Sequence, residues 1–368
     1  MLSVGKILIL ANHYNTLRIF RRELIKKLSS LGNEIYISIP ECDKDDADIL
    51  ESYGSKVIFT DMDRRGMNPI KDLSLLKRYK KLLKEIQPDK VITYTIKPNI
   101  YGAQACKCMN IPCYCNVTGL GSAFMADGGL MRKLVSTMYK FSMNKAEKIF
   151  FENVGNRNTL VNDKVIRAEQ AVVMPGAGVN VDEFAFVDYP EDDGSVHFLN
   201  VGRIMKEKGV EELFYALKKL KKIYPKVTFD FIGWYEDDYR EIVENMQYEG
   251  LIQFHGFQNE VVPFIKKAHC IVHPSYHEGM SNTLLEACAT GRPVITSNIH
   301  GCKEAVVDGE NGFLCNVKDG EDLYEKLRSF VELPYVRKKL MGIKAREYVV
   351  KNFDKTDVVN KTIKELDL

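Results

Sequence analysis

Short runs of β-branched and aromatic residues alternate with amphipathic helical patterns along the chain. In the first half, the strand-like runs are KILILAN, EIYISIP, KVIFTD, KVITYT, CYCNVTG and KIFFEN. Their near-continuous apolar character is typical of strands buried on both faces of a parallel sheet. Between them lie helical patterns such as RRELIKKLSSLG, which ends at a glycine, and PIKDLSLLKRYKKLLKEIQ, which ends before Pro88. In the second of these patterns, apolar residues recur at close to the helical period, at Ile70, Leu73, Leu76 and Leu83.

The second half repeats this alternation after an acidic, irregular segment, YPEDDGS at 189–195. Its strand-like runs are HFLNVG, TFDFIG, IQFHGF, CIVHPS, PVITSN and GFLC, and VEELFYALKKLKKIY places Leu213, Leu217 and Leu220 on one helical stripe. The pattern predicts an α/β protein of two doubly wound Rossmann-like domains facing across a cleft, joined by a linker near 175–195.

We assign residues 1–178 to an N-terminal domain and residues 179–345 to a C-terminal domain. Residues 346–368 are predicted to form a C-terminal helix that packs back toward the N-terminal domain. In such sheets ligands bind beyond the carboxyl ends of the strands, so the loops after strands are where chemistry is expected.

Composition narrows the class of protein. The 368 residues are 45% hydrophobic and 28% charged, which is typical of a globular chain. The longest apolar runs are far shorter than the roughly 18–20 residues of a membrane span. The N-terminus does not resemble a signal peptide, so a cytoplasmic protein is expected.

Nine cysteines do not indicate a disulfide framework in a chain of this kind. The pairs Cys106/Cys108 and Cys113/Cys115 have C-x-C spacing, and residues i and i+2 of a helix point apart. Buried apolar thiols are the preferred interpretation, and no metal site is predicted.

Charge is unevenly distributed although the formal net charge is only +2. Residues 1–185 hold 27 Lys and Arg against 20 Asp and Glu, and residues 186–368 hold 25 against 30. The basic half fits an anionic partner such as a membrane surface, a phosphate-bearing substrate or nucleic acid, and ordinary solvated helix faces are the alternative. The segment LMRKLVSTMYKFSMNKAEK suits docking at an anionic bilayer, and a core-facing helix explains it equally well.

Two glutamates follow the CIVHPS strand within HEGMSNTLLEACATG, at 277–291. A helix is expected to begin near Ser281 or Asn282, either of which can be the N-cap, so Glu278 lies in the loop and Glu286 in the second turn. Eight helical positions span ~12 Å, which is too far for an acid and base pair acting on one bond.

Helical side chains lean toward the N-terminus, so the N–H groups of residues 281–284 lie between the two acids. This arrangement suits an elongated ligand that is anionic in the middle and rich in hydroxyls at its ends, such as a nucleotide sugar. The alternative is one loop acid and one helix-surface acid without a shared ligand.

A second motif, NVGRIMKEKGVEEL, opens the second domain. Gly202, Arg203, Lys208 and Gly209 follow its first strand. Two glycines allow close approach of a diphosphate, which the two cations would bind. They would also stabilise negative charge on a departing nucleoside diphosphate.

With these motifs, residues 196–330 resemble a retaining GT-B glycosyltransferase of family 4. Its E-x7-E motif matches Glu278 and Glu286, and its R-x4-K motif matches Arg203 and Lys208. The resemblance implies that the two cations bind the diphosphate and that Glu278 faces the donor sugar, so these three residues are the catalytic candidates. It implies that Glu286 holds the ribose hydroxyls. It also implies that residues 179–345 form the nucleotide-sugar-binding domain and residues 1–178 the acceptor-binding domain.

The resemblance also implies further contacts with the donor. Gly202 would lie at the diphosphate, and backbone contacts would come from Met280, Ser281, Asn282, Thr283 and Leu284. The HGF loop at 255–257, with Gln258 and Asn259, would border the base. The resemblance implies that no metal and no other cofactor is needed, and that the UDP-sugar is a donor substrate.

In the first domain, the loop VTGLGSAFMADGG at 117–129 carries Gly119 and Gly121. It is either a flexible turn or an interdomain loop whose backbone approaches the donor sugar. Together with TIKPNIYG and FRREL, it is similar to bacterial enzymes that extend undecaprenyl-diphosphate-linked sugars, including N-acetylgalactosaminyltransferases of protein glycosylation and capsule enzymes. Many family members have a histidine here and this loop has none. Asp127 is a candidate substitute or a solvated turn carboxylate, so no general base is assigned.

Several cations of the first domain follow strands and would bind an acceptor diphosphate or form solvated helix faces: Arg18, Arg21, Arg22 and Lys97. The expected protein is a bacterial transferase, peripheral on the inner face of the cell membrane and without a nucleic-acid partner. It would move a hexose or N-acetylhexosamine from a UDP-sugar to a lipid-linked saccharide in capsule, O-antigen or glycoprotein glycan synthesis.

The alternatives are a noncatalytic sugar-nucleotide-binding subunit, or a phosphorylase or epimerase of the same fold. A nicotinamide dehydrogenase is disfavoured because G-x-G-x-x-G follows neither first strand.

Overall fold

A computed structural model of the protein describes residues 5–63, 69–121, 124 and 129–368. The chain divides into two compact units. Unit 1 comprises Met1–Ala177 with Thr356–Leu368, and unit 2 comprises Gly178–Lys355.

Unit 1 contains a seven-stranded parallel sheet with the order β3-β2-β1-β4-β5-β6-β7. Its strands are β1 (Lys6–Leu10), β2 (Glu34–Ile39), β3 (Ser55–Phe59), β4 (Lys90–Tyr94), β5 (Cys113–Val117), β6 (Lys148–Phe151) and β7 (Ala171–Val173). Its helices include α1 (Tyr14–Phe20), α2 (Arg22–Ser30), α3 (Lys44–Glu51), α4 (Pro69–Ile86), α5 (Ala103–Met109), α6 (Leu130–Met143) and α7 (Val154–Asn162). The six strands predicted in this half are confirmed, and β7 is an addition to them.

Unit 2 contains a six-stranded parallel sheet with the order β10-β9-β8-β11-β12-β13. Its strands are β8 (Val196–Val201), β9 (Val227–Ile232), β10 (Gln253–Phe254), β11 (Cys270–His273), β12 (Val294–Ser297) and β13 (Gly312–Cys315). The helices that follow along the chain are α8 (Val210–Ile223), α9 (Arg240–Tyr248), α10 (Val262–Lys267), α11 (Asn282–Ala289), α12 (Gly320–Glu332), α13 (Tyr335–Phe353) and α14 (Lys355–Glu365). All six predicted strands of this half are confirmed.

Each sheet reverses its strand order once, between β1 and β4 in unit 1 and between β8 and β11 in unit 2. At such a reversal the loops after the two strands diverge to opposite faces and leave room for a ligand at the carboxyl edge. The two predicted motifs of the second half follow β8 and β11, so both lie at the reversal of the second sheet.

Apolar clusters cover both faces of both sheets, as the near-continuous apolar strands predict. Helix α8 buries Leu213, Leu217 and Leu220 as expected. In helix α4, Leu83 is buried and Leu76 is partly buried against the core, as predicted. Leu73 is exposed instead, and Leu75 and Tyr79 are buried in addition. The side chain of Ile70 lies outside the described residues.

The predicted domain boundary at 345/346 differs from the observed one, which lies between Lys355 and Thr356. That boundary falls inside α13, whose residues Ala345, Val349 and Phe353 are buried against unit 2 at intervals of four. Backbone bonds from Val179 N to Phe353 O, 2.9 Å, and from Lys355 N to Val179 O, 2.9 Å, extend unit 2 to residue 355. The separate helix α14 then packs on the first sheet.

Among the described residues, no helix combines the length and the apolar character that crossing a bilayer requires.

Candidate active site

The ends of β8 and β9 approach each other closely at the carboxyl edge of the second sheet. Gly202 follows β8 and Gly233 follows β9, and a Cβ atom at Gly233 would lie 1.7 Å from the Gly202 carbonyl oxygen. Gly233 has a φ of 151° and cannot be replaced without moving this edge. The backbone at Gly202, where a phosphate is predicted to approach, therefore also requires a glycine at position 233, which the sequence motif does not include.

Glu278, in the loop after β11, is held by two neighbouring side chains. Nε2 of His273, the last residue of β11, lies 2.8 Å from Glu278 Oε1, and the Lys208 ammonium contacts the same oxygen. Burial alone would raise the pKa of Glu278, but Lys208 and then His273 outweigh it and hold that pKa well below its usual range. The structure therefore brings Lys208 and Glu278 together and keeps the carboxylate ionised.

A short turn carries Lys208 to this position. Residues Lys206–Lys208 form a 3-10 turn, and Gly209 follows with a φ of 71°. The Tyr276 N–H donates to the Glu207 carbonyl oxygen at 2.9 Å, and a Cβ atom at Gly209 would lie 2.0 Å from the Pro274 carbonyl oxygen. The turn after β8 is thus packed directly on the loop after β11.

Gly301 supports the Glu278 loop from the other side. Its carbonyl oxygen accepts a hydrogen bond from the Ser281 N–H at 2.8 Å. Its φ is 90°, and a Cβ atom there would lie 2.7 Å from the Glu278 carbonyl oxygen. Only glycine fits this position without displacing the loop.

Helix α11 begins at Asn282 with Ser281 at the N-cap, as predicted, although the Ser281 side chain makes no capping bond. The N–H groups of the first turn have no acceptor within the helix and point toward the strand edge. Met280 and Leu284 are buried, whereas Asn282 and Thr283 are partly exposed. The five residues 280–284 therefore lie beside Glu278, and their contact with a donor stays a prediction.

Glu286 lies in the second turn of α11. Burial raises its pKa to about 8, while Lys355 lowers it and Glu183 raises it further. The two predicted acids thus differ, since Glu278 is ionised and Glu286 holds its proton near neutral pH.

Arg203 is half-exposed, with Nη1 3.8 Å from Glu236 Oε2. Beyond it, Trp234 follows β9 and Phe257 follows β10, and their exposed rings form an edge-on pair with centroids 5.7 Å apart. Gln258 donates from Nε2 to the His255 carbonyl oxygen at 2.8 Å, which fixes the HGF loop beside this pair. An aromatic surface therefore borders the region predicted to hold a base.

In unit 1, Gly119 and Gly121 follow β5 with φ values of 159° and 72°. Their approach to a donor sugar stays a prediction, and Asp127 lies outside the described residues. The four first-domain cations have carboxylate neighbours: Arg18 with Asp46 at 3.5 Å, Arg21 with Glu152 at 2.7 Å, Arg22 with Glu23 at 2.7 Å and Lys97 with Asp72 at 2.6 Å. These ion pairs do not favour a ready acceptor-diphosphate site there.

Within the described ranges, no group of three His, Cys, Asp or Glu residues is arranged to hold a metal ion. That the protein needs no cofactor stays a prediction. Cys113 and Cys115 lie buried on β5 with sulfur atoms 3.9 Å apart, and Cys106 is also buried. The interpretation of these thiols as buried apolar groups is confirmed, whereas Cys108 is exposed.

Sequence reasoning missed His273, Gly233 and Gly301. The only signal for His273 is its position at the end of a strand beside the motif. The two glycines show no spacing rule, because each is required by backbone atoms distant in the sequence.

Comparisons with known proteins cover both units. Residues 181–350 match the family described as Glycosyl transferases group 1, and residues 6–153 match the family described as Glycosyl transferase 4-like. The chain is 26% identical over 364 residues to the N,N'-diacetylbacillosaminyl-diphospho-undecaprenol alpha-1,3-N-acetylgalactosaminyltransferase of Campylobacter jejuni, covering 95% of this chain and 94% of that one.

The chain is also 26% identical over 320 residues to the UDP-Gal:alpha-D-GlcNAc-diphosphoundecaprenol alpha-1,3-galactosyltransferase of Escherichia coli, covering 82% and 81% of the two chains. Among solved structures, HepE of Anabaena in complex with UDP and glucose superposes with a TM-score of 0.79 at 16% identity, over 99% of both chains. At this identity the likeness shows the fold alone.

Proposed function

Because the chain belongs to the group 1 and 4-like glycosyltransferases, we propose that it transfers a hexose or N-acetylhexosamine from a UDP-sugar to an undecaprenyl-diphosphate-linked saccharide, with retention. The family and its GT-B fold are those the sequence predicts. The donor, the acceptor and the stereochemistry are the proposed part.

The observation that carries the proposal is the ionised Glu278 beside the start of α11, with Lys208 on its carboxylate. A diphosphate at the helix start would accept hydrogen bonds from the first-turn N–H groups. Arg203 and Lys208 would then offset the charge that grows on it as the sugar leaves. Glu278 would accept hydrogen bonds from hydroxyls of the donor sugar, and Glu286 would serve the ribose.

The transfer step involves no residue assigned as a base. The acceptor hydroxyl oxygen forms a bond to the anomeric carbon as the bond from that carbon to the phosphate oxygen breaks. The attack comes from the face that the phosphate leaves, which preserves the configuration, and the acceptor proton passes to the departing phosphate. Both relatives are named as alpha-1,3 transferases, and an α product from an α-linked UDP-sugar is retention.

The relatives' names also support the acceptor class and the location. Each name includes an undecaprenol-diphosphate saccharide, which is a membrane lipid. We propose a cytoplasmic enzyme, peripheral on the inner face of the membrane, in the synthesis of a capsule, O-antigen or glycoprotein glycan.

The test is a panel of UDP-hexoses and UDP-N-acetylhexosamines incubated with the purified protein and a bacterial membrane lipid extract. Mass spectrometry of the lipid fraction should show a gain of one hexose or one N-acetylhexosamine with one donor. The Glu278→Gln variant should give none. UDP release without an acceptor would favour an epimerase or phosphorylase, and UDP binding without turnover in any extract would favour a noncatalytic subunit.

A further inference from the structure

Helix α6 of unit 1 has two apolar faces, although packing on the sheet requires only one. Its inner face buries Val135, Tyr139 and Met143 in the core. Its outer face leaves Leu130, Leu134 and Phe141 exposed by 85%, 47% and 65%. These residues recur at helical spacing, so they form one continuous stripe along the outside of the helix.

Exposed lysines flank this stripe, and the Asp163 carboxylate pairs with Arg132 of the same helix at 2.7 Å. Lys133 and Lys140 are exposed and lie seven residues apart, which places them two turns apart on the same side. The helix sequence LMRKLVSTMYKFSM contains no Asp or Glu. A third cation, Lys107, donates from Nζ to the Phe141 carbonyl oxygen at 2.7 Å near the end of the helix.

We propose that the outer face of α6 docks parallel to the surface of an anionic bilayer. We define this docking face as Leu130, Met131, Lys133, Leu134, Lys140 and Phe141. The apolar side chains would enter the boundary between headgroups and acyl chains, and the lysines would lie at the level of lipid phosphates. The inference rests on the proposed function, because that function puts the acceptor in a membrane.

The positive charge of the docking face favours an anionic bilayer over a second copy of the chain as its binding partner. In a two-fold symmetric contact each docking face meets its own copy, so the Lys133 and Lys140 ammonium groups of both copies would crowd together. A bilayer rich in anionic lipid offers apolar and negative groups over the whole length of the helix, ~21 Å. The bilayer therefore offers apolar contacts to the stripe and negative groups to the lysines.

The experiment is sedimentation of the full chain with vesicles of phosphatidylglycerol and phosphatidylcholine, against vesicles of phosphatidylcholine alone. Wild-type binding should rise with the anionic fraction and weaken as salt screens the lysines. The double variant Leu134→Glu, Phe141→Glu should lower the partition coefficient about tenfold or more, because it puts charge in the apolar stripe. Both positions are exposed, so the variant should fold normally by circular dichroism.

The matched control is Ile242→Glu, Tyr248→Glu on α9 of unit 2, where the native side chains are 44% and 94% exposed. It should bind vesicles as the wild type does. Equal loss in the control, or unchanged binding by the α6 variant, would overturn the proposal. A concentration-dependent dimer that the α6 variant abolishes would also overturn it, in favour of a second copy as the occupant.

Failure of docking and failure of the proposed function are separable. The α6 variant should lose transfer to an acceptor embedded in vesicles and keep transfer to a short-chain, water-soluble acceptor. If the wild type binds vesicles through α6 but transfers no sugar to either acceptor, docking stands and the enzymatic proposal fails. If the variant transfers sugar and binds vesicles normally, the enzymatic proposal stands and docking fails.

Discussion

At the scale of single residues, the candidate site contains two carboxylates whose pKa values are shifted in opposite directions. Glu278 is kept ionised by Lys208 and His273, which both contact one of its oxygens. Glu286 keeps its proton because burial outweighs the attraction of Lys355. The E-x7-E spacing predicts both acids as site residues, but their ionisation depends on neighbours that lie far away in the sequence.

Replacing Lys208 by Ala should lower turnover more than it weakens UDP binding. The ammonium would stabilise charge that develops as the phosphate leaves, so its loss should reduce kcat by about 10²–10³ while Kd for UDP rises less than about tenfold. The matched control is Lys206→Ala in the same turn, where the side chain is exposed and pairs with Glu211 at 3.3 Å. Equal losses in kcat and affinity, or equal effects in the control, would contradict this role.

UDP binding should release a proton from Glu286 near neutral pH. With a pKa of about 8 the carboxyl is mostly protonated at pH 7, and ribose hydroxyls that donate to it favour the ionised form. The bound pKa therefore falls and a proton leaves. At pH 9 the group is already ionised, so the effect should disappear.

Calorimetry in buffers of different ionisation enthalpy measures this proton. The control is Glu286→Gln, because subtracting its value removes protons that the UDP phosphate itself releases. Identical proton release by the wild type and the variant at pH 7 would show that the ribose does not bind an ionised Glu286.

At the scale of elements, the site is built from turns that pack backbone on backbone. The turn Lys206–Lys208 meets the loop after β11 with no side chain between them, because Gly209 has no Cβ atom. Contacts of this kind join residues about seventy positions apart, so no motif spacing reveals them. The strands are easier to predict, because a parallel strand covered on both faces needs an unbroken apolar run.

The elements that sequence reasoning missed lack such a signal. Strand β7 has only three residues and lies at the edge of the sheet. In α4, Leu73 fits the apolar period but is exposed, whereas Leu75 and Tyr79 are buried. The sequence does not show where α13 ends, because a polar helical pattern continues into α14. Only the extended backbone of Asp354 separates the two helices.

Gly209→Ala should damage both folding and activity, whereas Gly250→Ala should damage only folding, and less. Both glycines have a φ near 70°, which costs an L-residue about 1–2 kcal/mol. A Cβ atom at Gly250 meets nothing within 4 Å, but at Gly209 it would collide with the Pro274 carbonyl oxygen. Denaturant unfolding and kcat should therefore separate the two variants, and equal stability with full activity in both would refute the packing argument.

At the scale of the whole molecule, the chain ends by returning to the unit in which it began. Helix α14 and the residues after it contribute Val358, Val359, Ile363 and Leu366 to the core of unit 1. Lys148 on β6 also binds Glu365 at 2.7 Å. The sequence predicts this return, and the structure places its start at residue 356.

Ile363→Ala should therefore destabilise unit 1 and leave the predicted nucleotide site of unit 2 intact. Truncating a buried isoleucine costs about 2–5 kcal/mol, whereas Lys364→Ala on the exposed side of α14 should change the free energy of unfolding by less than about 0.5 kcal/mol. Denaturant unfolding measures the first effect and UDP titration the second. A parallel loss of UDP affinity in the folded Ile363→Ala variant would contradict the separation.

The central claim is that the start of α11, Arg203, Lys208 and the two acids form one cradle for an activated sugar. A crystal structure of the protein with UDP tests it most directly. The account predicts the diphosphate at the first-turn N–H groups within hydrogen-bond distance of Arg203 and Lys208, and the ribose hydroxyls on Glu286. UDP bound elsewhere, with these side chains turned away from it, would contradict the account.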